Sequence, residues 1–296
     1  MLFSQPLSSW DDWSAVFRRA DLFTPLVRAI LASCGRPAQD PVCLTPGTNA
    51  VFAVGDAVIK LFVPAETGYD AEPDFEAERA GLARAAALGV PAPRILAQGV
   101  YEDLYRWRWL LLSRVPGREY GAVPRSEAER RAIGRRLRRL TDRLNTPQPP
   151  DPGFAEGRRD ESRWREKGFS EGFLADRRAF LDAHPPEDWV WCHADITGEN
   201  LMAAPDGSLA LIDFADAAVL PRVCEEAVII GELFRFDPAG LSGFLGEGFD
   251  GAAAAERCLT GLLQHPFGAY IVSDRFPDAL PGSVEALRGL LRAALG

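Results

Sequence analysis

The stretch from Val190 to Asp216 constrains this chain more than any other. Val190 and Trp191 lead into His193-Ala194-Asp195. Leu201 and Met202 then run to Pro205-Asp206-Gly207, and Leu209 to Ile212 return as a second strand. Pro-Asp-Gly between two apolar runs marks a turn, because proline presets φ and glycine supplies a positive φ. The returning strand delivers Asp213 beside the loop that carries Asp195 and Asn200. Two carboxylates and one amide oxygen then meet at one end of a small hairpin. Such a set of hard oxygens suits Mg2+, which keeps waters and takes its remaining ligands from substrate phosphates. An ordinary hairpin with solvated acids is the competing reading, and three ordered ligands next to a histidine argue against it.

A second constraint comes from lysine usage. Arginine is abundant, yet lysine occurs only at Lys60 and Lys167. Lys60 stands inside the apolar run Val58-Ile59-Lys60-Leu61-Phe62, where a lone cation is expensive to bury without an anionic partner. The helix expected from about Asp74 to Leu88 buries Phe75, Leu82 and Ala86, and Glu78 falls on that same face. Glu78 is therefore the expected partner of Lys60, and Glu76 points elsewhere. One hairpin before Lys60, turned at Gly55-Asp56, lies Leu44-Thr45-Pro46-Gly47-Thr48-Asn49. Gly47 permits close backbone approach, and Thr48 and Asn49 add donors to the loop amides, the features of a phosphate cradle.

The rest of the chain supplies scaffold. Residues 1 to about 37 have helical spacing (Trp10, Trp13, Phe17, Ala20) and are expected to pack without chemistry. Trp107 to Val115 is an apolar strand ended by Pro116-Gly117. Glu127 to Asn145 repeats Ile133, Leu137, Leu140 and Leu144 on one helical face, and its arginines are interspersed with acids, a solvated face. Residues 156–183 are expected to form one or two charged helices, and residues 221–292 further helices. A net charge of −9 argues against nucleic acid as a main partner. No apolar run reaches the roughly 20 residues that a membrane helix needs. Five scattered cysteines without metal-ligand spacing indicate reduced thiols and a cytoplasmic location.

In the order and spacing of these motifs the chain resembles the aminoglycoside phosphotransferase and small-molecule kinase family, over roughly residues 42–230. That family carries His-Gly-Asp, four residues, Asn, and a hairpin ending in Ile-Asp-Phe-Gly-Asp. Here His193-Ala194-Asp195, Asn200 and Ile212-Asp213-Phe214-Ala215-Asp216 correspond, with alanine for glycine at 194 and 215. The resemblance implies an α+β, two-lobed protein-kinase-like fold. A helical extension (1–40) would precede a nucleotide-binding lobe (41–115) with a small antiparallel sheet and one helix. A mostly helical lobe (116–296) would carry the catalytic and metal loops and the acceptor site. It further implies ATP or GTP with Mg2+ as cofactors and a small-molecule hydroxyl as acceptor, in a monomer or weak homodimer.

Residue by residue, the resemblance makes Asp195 the group that orients the acceptor hydroxyl, and Asn200 and Asp213 the metal ligands. Gly47, Thr48 and Asn49 would form the nucleotide loop, and Lys60 with Glu78 would serve the phosphates. The backbone of Leu112, Ser113, Arg114 and Val115 would meet the base. An acidic residue after the metal segment corresponds to Glu225 or Glu226. No Ala-Pro-Glu segment follows Asp216, which favours a small-molecule acceptor over a protein hydroxyl. A nucleotide-binding pseudokinase module would usually have lost Asp195, Asn200 or Asp213, and all three are present.

Overall fold

In the computed structural model, which describes residues 1–45, 47–278 and 280–296, the chain divides into two units, Met1–Pro116 and Gly117–Gly296. The first unit opens with α1 (Trp10–Val16) and α2 (Ala20–Ser33). The helical stretch expected over residues 1–37 is thus shorter and broken. Ser9 caps α1 by accepting from the Asp12 amide, and the chain turns between Phe17 and Arg19. Phe3 and Trp13 each pack against Phe23, all three rings meet Trp107, and Phe23 also meets Phe52. This aromatic cluster seats the extension on the sheet.

The sheet comprises β1 (Val42–Cys43), β2 (Ala50–Val54), β3 (Ala57–Leu61), β4 (Ile95–Glu102) and β5 (Arg106–Ser113), in the order β1-β2-β3-β5-β4. All pairs are antiparallel, and short turns join β2 to β3 and β4 to β5. Gly55 adopts φ 64° in the two-residue turn between β2 and β3, a conformation glycine reaches without steric cost. One helix, α3 (Glu72–Ala87), follows β3 in the chain and buries Phe75, Glu78, Gly81, Leu82 and Ala85. Ala85, and not the expected Ala86, completes its buried face.

The second unit starts with β6 (Arg118–Glu119) and α4 (Glu127–Leu144). Ser126 and Glu129 form a reciprocal capping box that begins α4, and Ile133, Leu137, Leu140 and Leu144 are buried as the spacing predicts. Next come α5 (Pro152–Gly157), α6 (Ser162–Glu166) and α7 (Glu171–Ala183), the last two being the helices expected over residues 156–183. The central strands are β7 (Trp189–Cys192), β8 (Leu201–Ala203), β9 (Leu209–Leu211) and β10 (Ala218–Pro221). β7 pairs with β10, and β6, β8 and β9 form a three-stranded sheet.

The chain finishes in helices: α8 (Arg222–Val228), a π-helical turn at Ile229–Leu233, α9 (Pro238–Leu245), α10 (Gly251–Gln264), α11 (Gly268–Arg275) and α12 (Val284–Leu295). Glycine lets α4 and α9 touch closely, since a Cβ on Gly134 would lie 2.3 Å from the Gly240 carbonyl oxygen. No helix among the described residues is long and apolar enough to cross a membrane. The five cysteines are free thiols.

Candidate active site

In the first unit the functional residues are set out by β3 and α3. Lys60 pairs across the sheet with Val51 and Leu110, which places it in a central strand. Its Nζ lies 2.9 Å from Glu78 Oε2, and both side chains are almost fully buried. Glu76 is exposed and pairs instead with Arg79. A buried pair of this kind fixes the cation at one point, at the expense of desolvating both partners.

Gly47 and Thr48 are exposed, and Pro46 lies outside the described residues. Asn49 departs from expectation. It is buried, and its Oδ1 accepts from the Val63 amide at 3.3 Å, so the side chain braces the loop from inside and does not add a donor to its outer surface. Trp13 of α1 donates its indole N–H to the Thr48 carbonyl at 2.9 Å, a second brace that the helical spacing of the extension did not reveal.

The four residues expected to meet a base differ among themselves. Leu112 is buried and lies in register with Val58 on one side and Ile95 on the other. The Ser113 amide donates to Arg94 O at 2.8 Å and the Arg114 amide to Asp56 O at 3.3 Å. These two amides are engaged within the protein.

In the second unit, β7 ends at Cys192 and the chain enters the loop His193-Ala194-Asp195. Asn200, just before β8, donates from Nδ2 to the Asp195 carbonyl oxygen at 2.9 Å and to Asp195 Oδ2 at 2.6 Å. The Ile212 amide donates to Asn200 O at 3.0 Å, which ties the end of β9 to the same loop. Asp213 and Asp216 follow at once. Burial, then the negative charges of Asp216 and Asp213, push the Asp195 carboxyl up to about 7, against a weaker opposing effect of the Asn200 hydrogen bond.

Two backbone positions here lie in the left-handed region: Ala194 at φ 67° and Asp213 at φ 62°. That conformation costs a residue with a Cβ roughly 1–2 kcal/mol. It also explains why a glycine is at home at position 194 in the pattern this loop resembles. Buried side chains hold the loop in place. His193 Nε2 donates to Ile212 O at 3.0 Å while its Nδ1 accepts from the Asp195 amide at 3.3 Å. Glu225 accepts from the His193 amide at 3.1 Å and the Ala194 amide at 2.7 Å, and from Asn145 Nδ2 at 3.3 Å. Burial raises the Glu225 carboxyl, and these hydrogen bonds offset only part of that rise. Of the two adjacent glutamates, Glu225 turns to the loop and Glu226 pairs with Arg257. Asn145 and His265, whose Nε2 donates to Ala194 O at 3.2 Å, gave no local signal in the sequence.

Residues 47–261 match the model of the phosphotransferase enzyme family, APH. The chain belongs to that family. None of the curated proteins matches this phosphotransferase chain. Among solved structures it is similar to a thermostable mutant of aminoglycoside phosphotransferase APH(4)-Ia in its apo form. That pair has 15% identity and a TM-score of 0.59, over 91% of this chain and 98% of that one. The amicoumacin kinase hAmiN, in complex with AMP-PNP, Ca2+ and Ami, gives 13% identity and 0.58, over 90% and 92%. The GDP and kanamycin complex of APH(2")-IIia gives 16% and 0.58, over 90% and 96%. Identities this low establish the α+β kinase-like fold of the phosphotransferase and leave its substrates to other arguments.

The donor set fits a divalent cation. With its NH2 group on Asp195, Asn200 has its amide oxygen left for a metal, and Asp213 supplies a carboxylate. One carboxylate and one amide oxygen are a set Mg2+ accepts, because that ion takes one or two carboxylates beside substrate phosphates. Burial raises Asp195 most, and such an ion would relieve the smaller part that comes from repulsion by Asp216 and Asp213.

Proposed function

We propose that the chain moves the γ-phosphoryl group of a Mg2+-bound nucleoside triphosphate, ATP or GTP, to a hydroxyl of a small molecule. The observation that carries this reading is the Asp195–Asn200 hydrogen bond of 2.6 Å, on a loop beside Asp213 and Asp216. Phosphoryl transfer asks little covalent chemistry of a protein and much positioning and charge neutralisation. Asn200 and Asp213 would hold Mg2+, which would neutralise charge on the nucleotide phosphates. Asp195 orients the acceptor hydroxyl and takes its proton as the new O–P bond forms. The bond from the γ-phosphorus to the bridging oxygen then breaks, leaving a nucleoside diphosphate. Lys60, fixed by Glu78, contacts the inner phosphates. Gly47 and Thr48 offer exposed backbone to them. With the amides of Ser113 and Arg114 engaged, the Val115 amide is the donor of that segment for a base.

The acceptor we favour is a hydroxyl-bearing amine of the aminoglycoside, amino-sugar or amino-alcohol kind. Support comes from the net charge of −9, which attracts cations, and from the named compounds, kanamycin and Ami, in the similar structures. The five free thiols support a cytoplasmic enzyme. Thermal melting with MgATP and MgGTP tests the reading. At a nucleotide concentration about 100 times its dissociation constant the wild type should gain ~2.7 kcal/mol. Asp213→Asn should lose the magnesium-dependent part of that gain. A cooperative melt that neither nucleotide shifts would defeat the phosphotransferase reading.

A further inference from the structure

The backbone on both sides of Ala194 is held by buried side chains from distant segments. Glu225 Oε2 takes the Ala194 N–H at 2.7 Å, and His265 Nε2 gives a hydrogen bond to the Ala194 carbonyl at 3.2 Å. Fixing the N–H and the C=O of one residue fixes its φ and ψ together. At Ala194 the conformation so fixed, φ 67°, is one an alanine would otherwise leave. The carbonyl held by His265 belongs to the peptide that leads directly into Asp195.

His265 is itself held. It is 2% exposed, its amide donates to Gly261 O at 2.8 Å, and its Nδ1 accepts from the Phe267 amide at 3.0 Å. Arg163 donates to Pro266 O at 3.1 Å and lies over the Phe267 ring, which pins the corner from the other side. Burial holds the imidazole neutral by pushing its pKa down to about 4. The Phe267 contact at Nδ1 and the Ala194 contact at Nε2 together select the Nε2–H tautomer. His265 also lies beyond residue 261, where the family match ends.

We propose that His265 is a positioning residue for Asp195, setting through the Ala194 carbonyl the direction in which the loop presents its carboxylate. The assignment rests on the phosphotransfer reading for its effect on rate, and on the hydrogen bond alone for its effect on the loop. His265→Gln and His265→Asn separate the roles. The glutamine amide reaches where Nε2 stands, whereas the asparagine amide occupies only the Nδ1 position and leaves Ala194 without its donor.

The readouts are hydrogen exchange over residues 192–198 and the kcat and KM of MgATP or MgGTP hydrolysis. In His265→Asn, exchange should quicken and kcat fall, each on the order of tenfold, with KM little changed. His265→Gln should recover most of both. Equal losses in the two variants would give His265 a packing role only and overturn the proposal, as would wild-type exchange in His265→Asn. Should the asparagine variant fail to fold, imidazole 15N shifts of the wild type decide: an Nδ1–H tautomer at His265 overturns the proposal, and Nε2–H upholds it. Where wild-type hydrolysis is too slow to follow, exchange and tautomer judge the clamp, and the melting shift with nucleotide judges the phosphotransfer reading.

Discussion

Asp195 carries a large electrostatic load in the proposed site. In the folded chain it holds its proton up to about pH 7, against an ordinary value of 3.8. The folded state therefore binds more protons than the unfolded state between those values, and stability falls as pH rises through that window. Asp195→Asn removes this cost while keeping an oxygen for Asn200. The variant should melt with the wild type near pH 4, and pull ahead by on the order of 4 kcal/mol at pH 8. Melts that stay parallel across this range would show that the carboxyl is not raised. At the neighbouring position, Ala194→Gly should raise stability by about 1 kcal/mol, because glycine enters the left-handed region freely and both backbone bonds remain. A loss of stability on urea titration would mean that the alanine methyl packs better than its φ suggests. That Asp195 would lie beside Asn200 was legible from their spacing. Its raised proton affinity was not, since that depends on burial and on charges assembled by the fold.

Between elements, the join that matters most in the first unit is Lys60 on β3 to Glu78 on α3. Lys60→Met takes away a buried cation 2.9 Å from a buried carboxylate. Breaking such a pair typically costs about 3–5 kcal/mol. Lys60→Met with Glu78→Leu should recover most of that loss, because neither charge is then left in the core. A double variant no more stable than Lys60→Met in urea unfolding would reject the account. Helix periodicity was enough to foresee this pair, since Phe75 and Leu82 define the buried face and Glu78 lies between them. Local reading failed at Asn49. A polar residue after a glycine reads as a loop donor, yet the Val63 amide needs an acceptor inside the loop, and Asn49 supplies it. It also failed at residues 1–37, where a repeating apolar spacing did not reveal the break at Phe17 to Arg19 or the Trp13 bond to the Thr48 carbonyl.

Over the whole molecule, the near-absence of lysine offers a global probe. Only Lys60 and Lys167 carry side-chain amines, and Lys60 is 3% exposed. Mild acylation of the native protein should modify Lys167 and the α-amine and spare Lys60, with Lys60 reacting only under denaturing conditions. Mass spectrometry that finds Lys60 modified early would show that its strand opens far more readily than its burial implies. What the sequence determined by itself was local and ordered: a hairpin with a turn, a helix face, and ligand types at set spacings. These follow from backbone geometry and from the cost of burying charge, so they can be read along the chain. What only the tertiary structure decided was how distant segments meet at Ala194. Glu225 and His265 reach Ala194 from 31 and 71 residues away, and Asn145 holds Glu225 from behind. No periodicity links positions so far apart; the need of buried backbone groups for partners does, and it acts only once the core has closed around them.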